Sequence, residues 1–307
     1  MSPTPQVQAL FDRALLAQRR RRARALGPVT FLLDRVAQDM AERLSAVRRT
    51  FDMVVDLGTP TDAVRRSILA GGAVGRVIAA APPAGAAQAD TRTSVLVADE
   101  ERLPFRDASL DLVVSGLALQ FVNDLPGAMV QIRRALKPDG LFLAAVVGGD
   151  TLSELRQAFA AAEAEVEGGA SPRVAPFADV RTMGALLQRA GFALPVTDVD
   201  RVVARYDSPL RLMHDLRRMG ATNVLAERRR SVLRRQTLRR LVEIYAERFA
   251  DPDGRLRASF DIVWLSGWAP HESQQQPLRP GSARARLADA LGTREFSTGE
   301  KPNGERR

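Results

Sequence analysis

The chain has 307 residues, 45% of them hydrophobic, which is enough for one large α/β domain with a sizeable core. It has no cysteine, which excludes disulfides, thiolate metal sites and cysteine nucleophiles. No apolar run has the length of a membrane span, and the arginine-rich N-terminus lacks the pattern of a secretory signal. We therefore expect a cytoplasmic protein.

The net charge of +9 is unevenly distributed along the chain. Residues 1–50 hold ten arginines and four acidic residues, and residues 207–240 hold ten arginines and three acidic residues. Lysine occurs only twice, so the arginine count alone does not indicate phosphate recognition. Two interpretations stay open: a solvated basic face, or contact with an acidic protein or the anionic inner-membrane surface. Few aromatic residues lie among the arginines, which argues against nucleic-acid binding.

The order of elements predicts the fold class. Residues 1–50 form a helical extension, with helices at 7–26 and in "FLLDRVAQDMAERLSAV". Residues 51–270 then alternate strand and helix, which predicts an α/β domain with a doubly wound, mostly parallel, seven-stranded sheet. The predicted strands are 53–58, 75–81, 93–99, 110–116, 141–148, 194–206 and 259–270. The predicted helices are 61–70, 126–136, 151–167, 179–190, 208–219 and 224–249.

Several boundaries carry further expectations. The last two helices belong to a helical insertion at 207–258, before the final strand. Thr151 is the expected N-cap of the helix at 151–167, and Gly168 its stop. "LKPDG" at 136–140 is the expected stop of the preceding helix. The tail, 271–307, is polar, and we expect its end to be disordered.

Candidate ligand-binding residues follow the strands. In a doubly wound sheet, ligands bind beyond the carboxyl ends of the parallel strands. Asp56 and Gly58 end the first strand, where nucleotide-binding domains carry a glycine-rich turn. Asp99 and Glu100 follow the third strand, where a carboxylate can accept a hydrogen bond from an adenine amine. Ser115 lies at the end of the fourth strand.

The order of motifs resembles a known family. "VVDLG", "VADEERLPF" and "SLDLVVSGLALQFVNDLPGAMVQIRRALKPDGLFLAAVVGG" resemble class I S-adenosylmethionine (SAM)-dependent methyltransferases, including the malonyl-carrier-protein methyltransferases of biotin synthesis. "GGDTLSELRQAFAAAEAEVEGGASPRVAPF", "MGATN" and "WAPHESQ" are similar to the mitochondrial complex I assembly factor of the methyltransferase fold and its bacterial relatives. The resemblance runs from about residue 11 to about residue 282. It implies a Rossmann-like fold, SAM as cofactor and, for the assembly factor, hydroxylation of an arginine in an iron–sulfur subunit of respiratory complex I.

The sequence departs from that family in its first loop. The family pattern is acid–x–Gly–x–Gly–x–Gly, but Pro60 and Asp62 replace the second and third glycines here. Ala81 replaces the acid that accepts hydrogen bonds from the ribose hydroxyls, so that Asp99 alone is intact among the three expected cofactor contacts. We therefore expect a weakened SAM site. Asp62 has an alternative role as the N-cap of the next helix.

Further residues are candidates for contact with a substrate. Gln120 follows the fourth strand, where relatives often carry residues that face the ligand. Asp150, at the end of the fifth strand, points toward the active cleft in this topology. His271 lies in the family-like "HESQ". The only other histidine is His214, and an iron site of two histidines and one carboxylate would need both, so we expect no metal.

Three functions follow from these features. The first is a bacterial relative of the complex I assembly factor, which modifies an arginine of a respiratory subunit or assists its assembly. The second is an ordinary SAM-dependent methyltransferase that acts on a protein or a small acid. The third is a non-catalytic assembly chaperone that kept the fold and lost the cofactor.

Overall fold

The structure is a computed structural model that describes residues 9–82, 89–275 and 292–293. The chain divides into two compact units, residues 1–271 and residues 272–307. All the described helices and strands belong to the first unit, and residues 272–275 and 292–293 are the described part of the second. The predicted disorder at the end of the tail lies outside the described residues.

The described helices and strands follow the predicted alternation. The helices are α1 (Arg13–Ala25), α2 (Phe31–Ser45), α3 (Ala63–Ala70), α4 (Leu125–Ala135), α5 (Ser153–Glu167), α6 (Val180–Arg189), α7 (Pro209–Arg218) and α8 (Arg235–Phe249). The strands are β1 (Phe51–Leu57), β2 (Val74–Ala81), β3 (Thr93–Val97), β4 (Leu110–Gly116), β5 (Leu136–Gly148), β6 (Ala193–Tyr206) and β7 (Leu256–Trp268). A short 3₁₀ helix covers Leu119–Phe121.

The strands form one seven-stranded sheet in the order β3-β2-β1-β4-β5-β7-β6. Strands β1 to β5 pair in parallel, and β7 lies antiparallel between β5 and β6. The predicted fold class is therefore confirmed. Among the described residues, no helix is long and apolar enough to cross a bilayer.

Helices cover both faces of the sheet, which explains the continuous apolar runs of the central strands. Val54 packs on one face in a cluster with residues of α2 and α3. Val55, its neighbour, packs on the other face with residues of α4 and α6. Both side chains are fully buried, as the alternation of side chains along a strand requires. This two-sided core fixes the positions of the carboxyl ends of β1 to β5.

A third apolar cluster joins α5, α7 and α8 to the end of the sheet beside β7. The insertion contains less helix than predicted, because the segment predicted as helix from residue 224 becomes helical only at Arg235. Val224 and Leu225 are buried, and Leu225 forms an isolated β-bridge with Phe11. This pairing with the N-terminal segment overrides the local helical preference.

Two other boundaries were predicted in part. Helix α5 ends at Gly168, which has a φ of +74° as predicted for a stop. Thr151 does not cap it: its hydroxyl donates to the Gly148 carbonyl at 2.8 Å and accepts from the Asp261 amide at 2.9 Å. Helix α4 stops at the predicted place, but β5 begins there at once, because Leu136 already pairs with β4.

Candidate functional site

The carboxyl ends of β1, β2 and β3 and one side of α1 enclose a cavity of about 320 Å³, here called the small cavity. Its walls include residues 58–60, Ala81, Pro82, residues 97–99 and, from α1, Arg13, Arg20 and Arg24. This is the edge of the sheet where doubly wound proteins bind ligands. Its volume lies at the lower end of the range for small-molecule sites, about 300–1,000 Å³.

Gly58 turns the chain between β1 and this cavity. Its φ of +72° favours glycine, and a Cβ at this position would lie 2.6 Å from Oε1 of Glu100. The Glu100 side chain is buried and fills the space next to the loop. The predicted pair Gly58 and Glu100 is thus brought together, with the carboxylate packed against the glycine.

Arg13 holds the acidic residues that follow β3. Its guanidinium donates to Asp99 at 2.9 Å, to Glu101 at 3.3 Å and to Glu100. Burial acts to lower the pKa of Arg13, but the attraction of Glu100 and its neighbours outweighs it and raises that pKa. Asp99 is half-exposed and lines the small cavity, whereas Glu100 does not.

Asp56 and Ser115 lie beneath the loop and do not line the small cavity. The Asp56 carboxylate is buried, accepts a hydrogen bond from the Thr59 hydroxyl and lies 3.9 Å from Arg65. Burial raises the pKa of Asp56 to about 6. The buried Ser115 hydroxyl donates to the Leu57 carbonyl at 2.7 Å. Both side chains tie β1 to its neighbours, and cofactor contact by Asp56 and Ser115 stays a prediction.

The residues that replace the family's glycines have separate positions. Pro60 lines the small cavity. Asp62 precedes α3, but its side chain makes no capping hydrogen bond and instead lies 3.3 Å from Arg66. The side-chain capping role suggested for Asp62 is therefore wrong.

A second cavity, of about 1150 Å³, adjoins the first and is here called the large cavity. Arg20, Arg24 and Pro60 line both cavities. Its other walls come from the ends of β4 and β5, the N-terminal helices, residues 173–177 and the insertion between residues 213 and 233. It therefore occupies the place expected of a substrate site, next to the ligand-binding edge of the sheet.

Two leucines that line the large cavity have a left-handed backbone conformation. Leu117 has a φ of +50° and Leu152 a φ of +54°, a conformation that costs about 1–2 kcal/mol without glycine. They follow β4 and β5. Backbone strain of this kind concentrates at functional sites, which supports a functional role for this cavity.

Gln120 is the predicted substrate residue that lines the large cavity. Its Nε2 donates to the Leu117 carbonyl at 2.9 Å, but its buried Oε1 has no hydrogen-bond partner among the described residues. A buried acceptor without a partner is costly, and a donor on a ligand would relieve that cost.

The other two substrate candidates lie outside both cavities. Asp150 follows β5 at the expected edge, but it is exposed and pairs with Arg201 at 3.4 Å. His271 follows β7, and the antiparallel direction of β7 takes it to the opposite edge of the sheet, where Ala269 bonds Gly140 at the start of β5. Among the described residues, no three His, Asp or Glu side chains gather as a metal site would require.

Ten arginines line the large cavity, and no described aspartate or glutamate does. Helix α1 contributes Arg19, Arg20, Arg22 and Arg24, and α7 contributes Arg217 and Arg218. The others are Arg173, Arg228, Arg229 and Arg230. Four have acidic partners outside the wall: Arg20 pairs with Glu100, Arg173 with Glu163, Arg228 with Asp12, and Arg229 with Glu167. The wall is therefore strongly basic.

Sequence reasoning did not single out the arginines of α1 that line the two cavities. Arg13, Arg20 and Arg24 recur at intervals of seven and four residues, which places them on one side of a helix. Leu16 and Ala23 of the same helix are buried. That spacing was the available signal that the arginines of α1 face the body of the protein.

Comparisons with known proteins agree with this architecture. The family described as "Methyltransferase domain" matches residues 55–144. The chain is 37% identical over 287 residues to "Arginine-hydroxylase NDUFAF5, mitochondrial" of Danio rerio, covering 91% of this chain and 89% of that protein. It is 34% identical over 299 residues to the malonyl-[acyl-carrier protein] O-methyltransferase of Laribacter hongkongensis, covering 90% and 92%.

A solved structure shows the same fold. The crystal structure of a Bacillus halodurans protein described as a methyltransferase superposes with a TM-score of 0.52 at 14% identity, covering 76% of this chain and 99% of that one. The sheet topology and the extent of the sequence matches point to the same family. The chain therefore belongs to the family of methyltransferase-fold proteins that includes the arginine-hydroxylase NDUFAF5.

Proposed function

We propose that this protein acts on an arginine of a respiratory complex I subunit during assembly of that complex. The observation that carries the proposal is the match to the Danio rerio arginine-hydroxylase, which is 37% identical and extends over 91% of this chain. A match of that length extends well beyond the strands of the sheet. The substrate would then enter the large cavity.

The unpaired acceptor of Gln120 supports this proposal. Its Oε1 is buried at the wall of the large cavity. The guanidinium of a substrate arginine carries five N–H donors, so it could supply the missing hydrogen bond. Gln120 would thereby orient the side chain to be modified.

SAM fits the small cavity in our proposal, with fewer contacts than in relatives that keep three glycines. Asp99 would accept from the adenine amine, and Arg20 and Arg24 would face the carboxylate. The Ala81 side chain offers no acceptor for the ribose hydroxyls. When bound, SAM would supply an electrophilic methyl group, whereas adding an oxygen to arginine would also require dioxygen and a two-electron donor, with the second oxygen atom released as water. The weakening is of order 1.5–3 kcal/mol for each lost charge-assisted hydrogen bond.

Peptide mapping by mass spectrometry tests the main proposal. Complex I subunits from cells with and without this protein are compared for an arginine that carries one added oxygen. The proposal expects that modification only when the protein is present. An identical set of modified arginines in both samples would refute it.

A methyltransferase that acts on a small acid is the second candidate. The basic wall of the large cavity favours an anionic substrate, and the Laribacter hongkongensis O-methyltransferase is 34% identical over 90% of this chain. Transfer of label from methyl-labelled SAM to a small dicarboxylic acid would support this candidate. Transfer of no label, with arginine modification intact, would exclude it.

The proposed place of action is the cytoplasmic side of the inner membrane. The basic segments at 1–50 and 207–240 suit contact with an acidic subunit or an anionic membrane surface. Co-sedimentation with anionic vesicles should fall from low to high salt if the membrane contact is electrostatic. Equal retention at both salt concentrations would contradict that contact.

A further inference from the structure

The arginines of the large cavity carry charge that the protein itself does not neutralise. Six of the ten have no acidic partner within 4.0 Å among the described residues: Arg19, Arg22, Arg24, Arg217, Arg218 and Arg230. Arg19 and Arg218 bond the carbonyls of Asn223 and Gly27, which leaves their charges uncompensated. The cavity therefore has a positive potential in the absence of a ligand.

Arg20 lies where the two cavities meet. Its side chain is only 11% exposed, its nearest carboxylate is Glu100 at 3.8 Å, and it makes no hydrogen bond among the described residues. Burial lowers the pKa of Arg20, as it does for Arg19 and Arg24. Buried charges are normally paired, but Arg20 shares Glu100 with Arg13, so a ligand could supply a further counter-ion.

Arginine usage and helix ends do not account for this arrangement. The chain uses arginine in place of lysine, and arginines at helix C-termini stabilise the helix dipole. Neither effect explains why acidic residues are absent from the described wall of the large cavity. The chain has 36 acidic residues, yet no described one lines the large cavity.

The wall has consequences for the proposed substrate. A substrate arginine alone would be repelled by so many cations. The geometry points to an acidic, partly apolar segment of the substrate protein as the occupant of the large cavity, with its carboxylates on the arginine wall. This inference rests on the proposed function and names the class of sequence around the modified residue.

The size and the apolar part of the cavity favour a peptide. Its volume, about 1150 Å³, exceeds the usual range for one small molecule, about 300–1,000 Å³. Leu117, Phe121, Leu152 and Phe177 also line it and offer contacts for apolar side chains. Carboxylates would add charge-assisted hydrogen bonds to the arginines.

A matched pair of double variants tests the inference. Arg22→Glu with Arg217→Glu reverses two exposed arginines of the wall, one in α1 and one in α7. Arg21→Glu with Arg211→Glu makes the same charge change on the same two helices, at exposed positions outside both cavities. Neither pair removes an ion pair or a side-chain hydrogen bond among the described residues.

The probes are labelled short peptides with one arginine between alternating leucine and glutamate, or between leucine and glutamine. Fluorescence anisotropy is measured at low and high salt. The glutamate peptide should bind more tightly at low salt than at high salt. Its affinity should fall by about tenfold or more in the wall variant, but by less than about twofold in the control variant. Equal loss in both variants, or equal binding of the glutamine peptide, would overturn the inference.

The same variants distinguish a peptide from two other possible ligands of the arginine wall, a membrane surface and a small anion. Retention on phosphatidylglycerol vesicles that is lost only in the wall variant, without peptide binding, would assign the wall to a membrane and refute the peptide. Competition by free glutamate as strong as by the peptide would assign it to a small anion. If the peptide binds and no complex I arginine is modified, the proposed function fails alone. If the wall variant modifies the subunit as well as the native protein does, the inference fails alone.

Discussion

Arg13 of α1 and Glu100 after β3 form an ion pair across 87 residues of sequence. The glutamate is buried, and the same guanidinium also holds Asp99 and Glu101. This contact attaches the N-terminal helix to the edge of the sheet and closes one side of the small cavity. The extension before residue 51 is therefore part of the candidate site.

Replacing Arg13 should destabilise the protein. Breaking a buried pair costs about 3–5 kcal/mol when the remaining charge has no partner. Arg13→Gln leaves Glu100 with Arg20 at 3.8 Å, so the loss should be smaller than that. The free energy of unfolding in urea measures the effect. Arg21→Gln, at an exposed position of the same helix, should change it by less than about 0.5 kcal/mol. Equal effects of the two changes would show that the ion pair does not anchor the helix.

Removing Asp99 should weaken SAM binding without unfolding the protein. Asp99 is half-exposed, and Arg13 keeps its other two carboxylate partners in Asp99→Ala. Loss of the adenine contact should lower the affinity for SAM by about tenfold or more. Asp107→Ala is the control, since it also removes an exposed carboxylate paired with an arginine. Titration calorimetry that gives the same affinity for a folded Asp99→Ala protein would place the adenine elsewhere.

The first loop should respond to Pro60 and not to Asp62. Pro60 lines both cavities and its ring occupies the shared wall, whereas Asp62 lines neither and pairs with Arg66. Pro60→Gly should raise the affinity for SAM by about tenfold, and Asp62→Gly should leave it unchanged. Weaker SAM binding by Pro60→Gly would mean that this loop is an alternative cofactor cradle that needs its proline.

Asp56 should make stability depend on pH. Its pKa in the folded protein is about 6, above the ordinary value of 3.8, because the carboxyl group is buried. Between these pH values the folded state holds a proton that the unfolded state has released. The free energy of unfolding should therefore fall by about 2 kcal/mol as pH rises from about 4 to about 6. Asp56→Asn should flatten this slope in urea unfolding, and an unchanged slope would contradict the assignment.

The sheet could be predicted from the sequence because each central strand is a short apolar run between turn residues. Residues 110–116 were predicted with the bounds that the structure shows. The start of α8 could not be predicted, because Leu225 is held by a bridge to Phe11 more than 200 residues away. Local preference favours a helix there, and only the folded chain brings in the competing partner.

The site could be predicted only in part, because contacts between distant parts of the chain also shape it. Gly58, Asp99 and Gln120 line the cavities, and the sequence could predict them as candidates because ligands bind where parallel strands end. His271 was misplaced because the direction of β7 takes the end of that strand to the opposite edge. The basic wall joins α1, α7 and residues 228–230, which no local sequence pattern links.

Modification of a complex I arginine is the most direct test of the proposed function. Cells that lack this protein are complemented with the native chain or with Gln120→Ala, and the arginine-containing peptides of the complex I subunits are mapped by mass spectrometry. We expect one arginine to carry an added oxygen with the native chain, and much less of that form with Gln120→Ala at equal protein abundance. Unmodified arginines in cells that hold the native chain, or an added methyl group in place of the oxygen, would contradict the proposed activity.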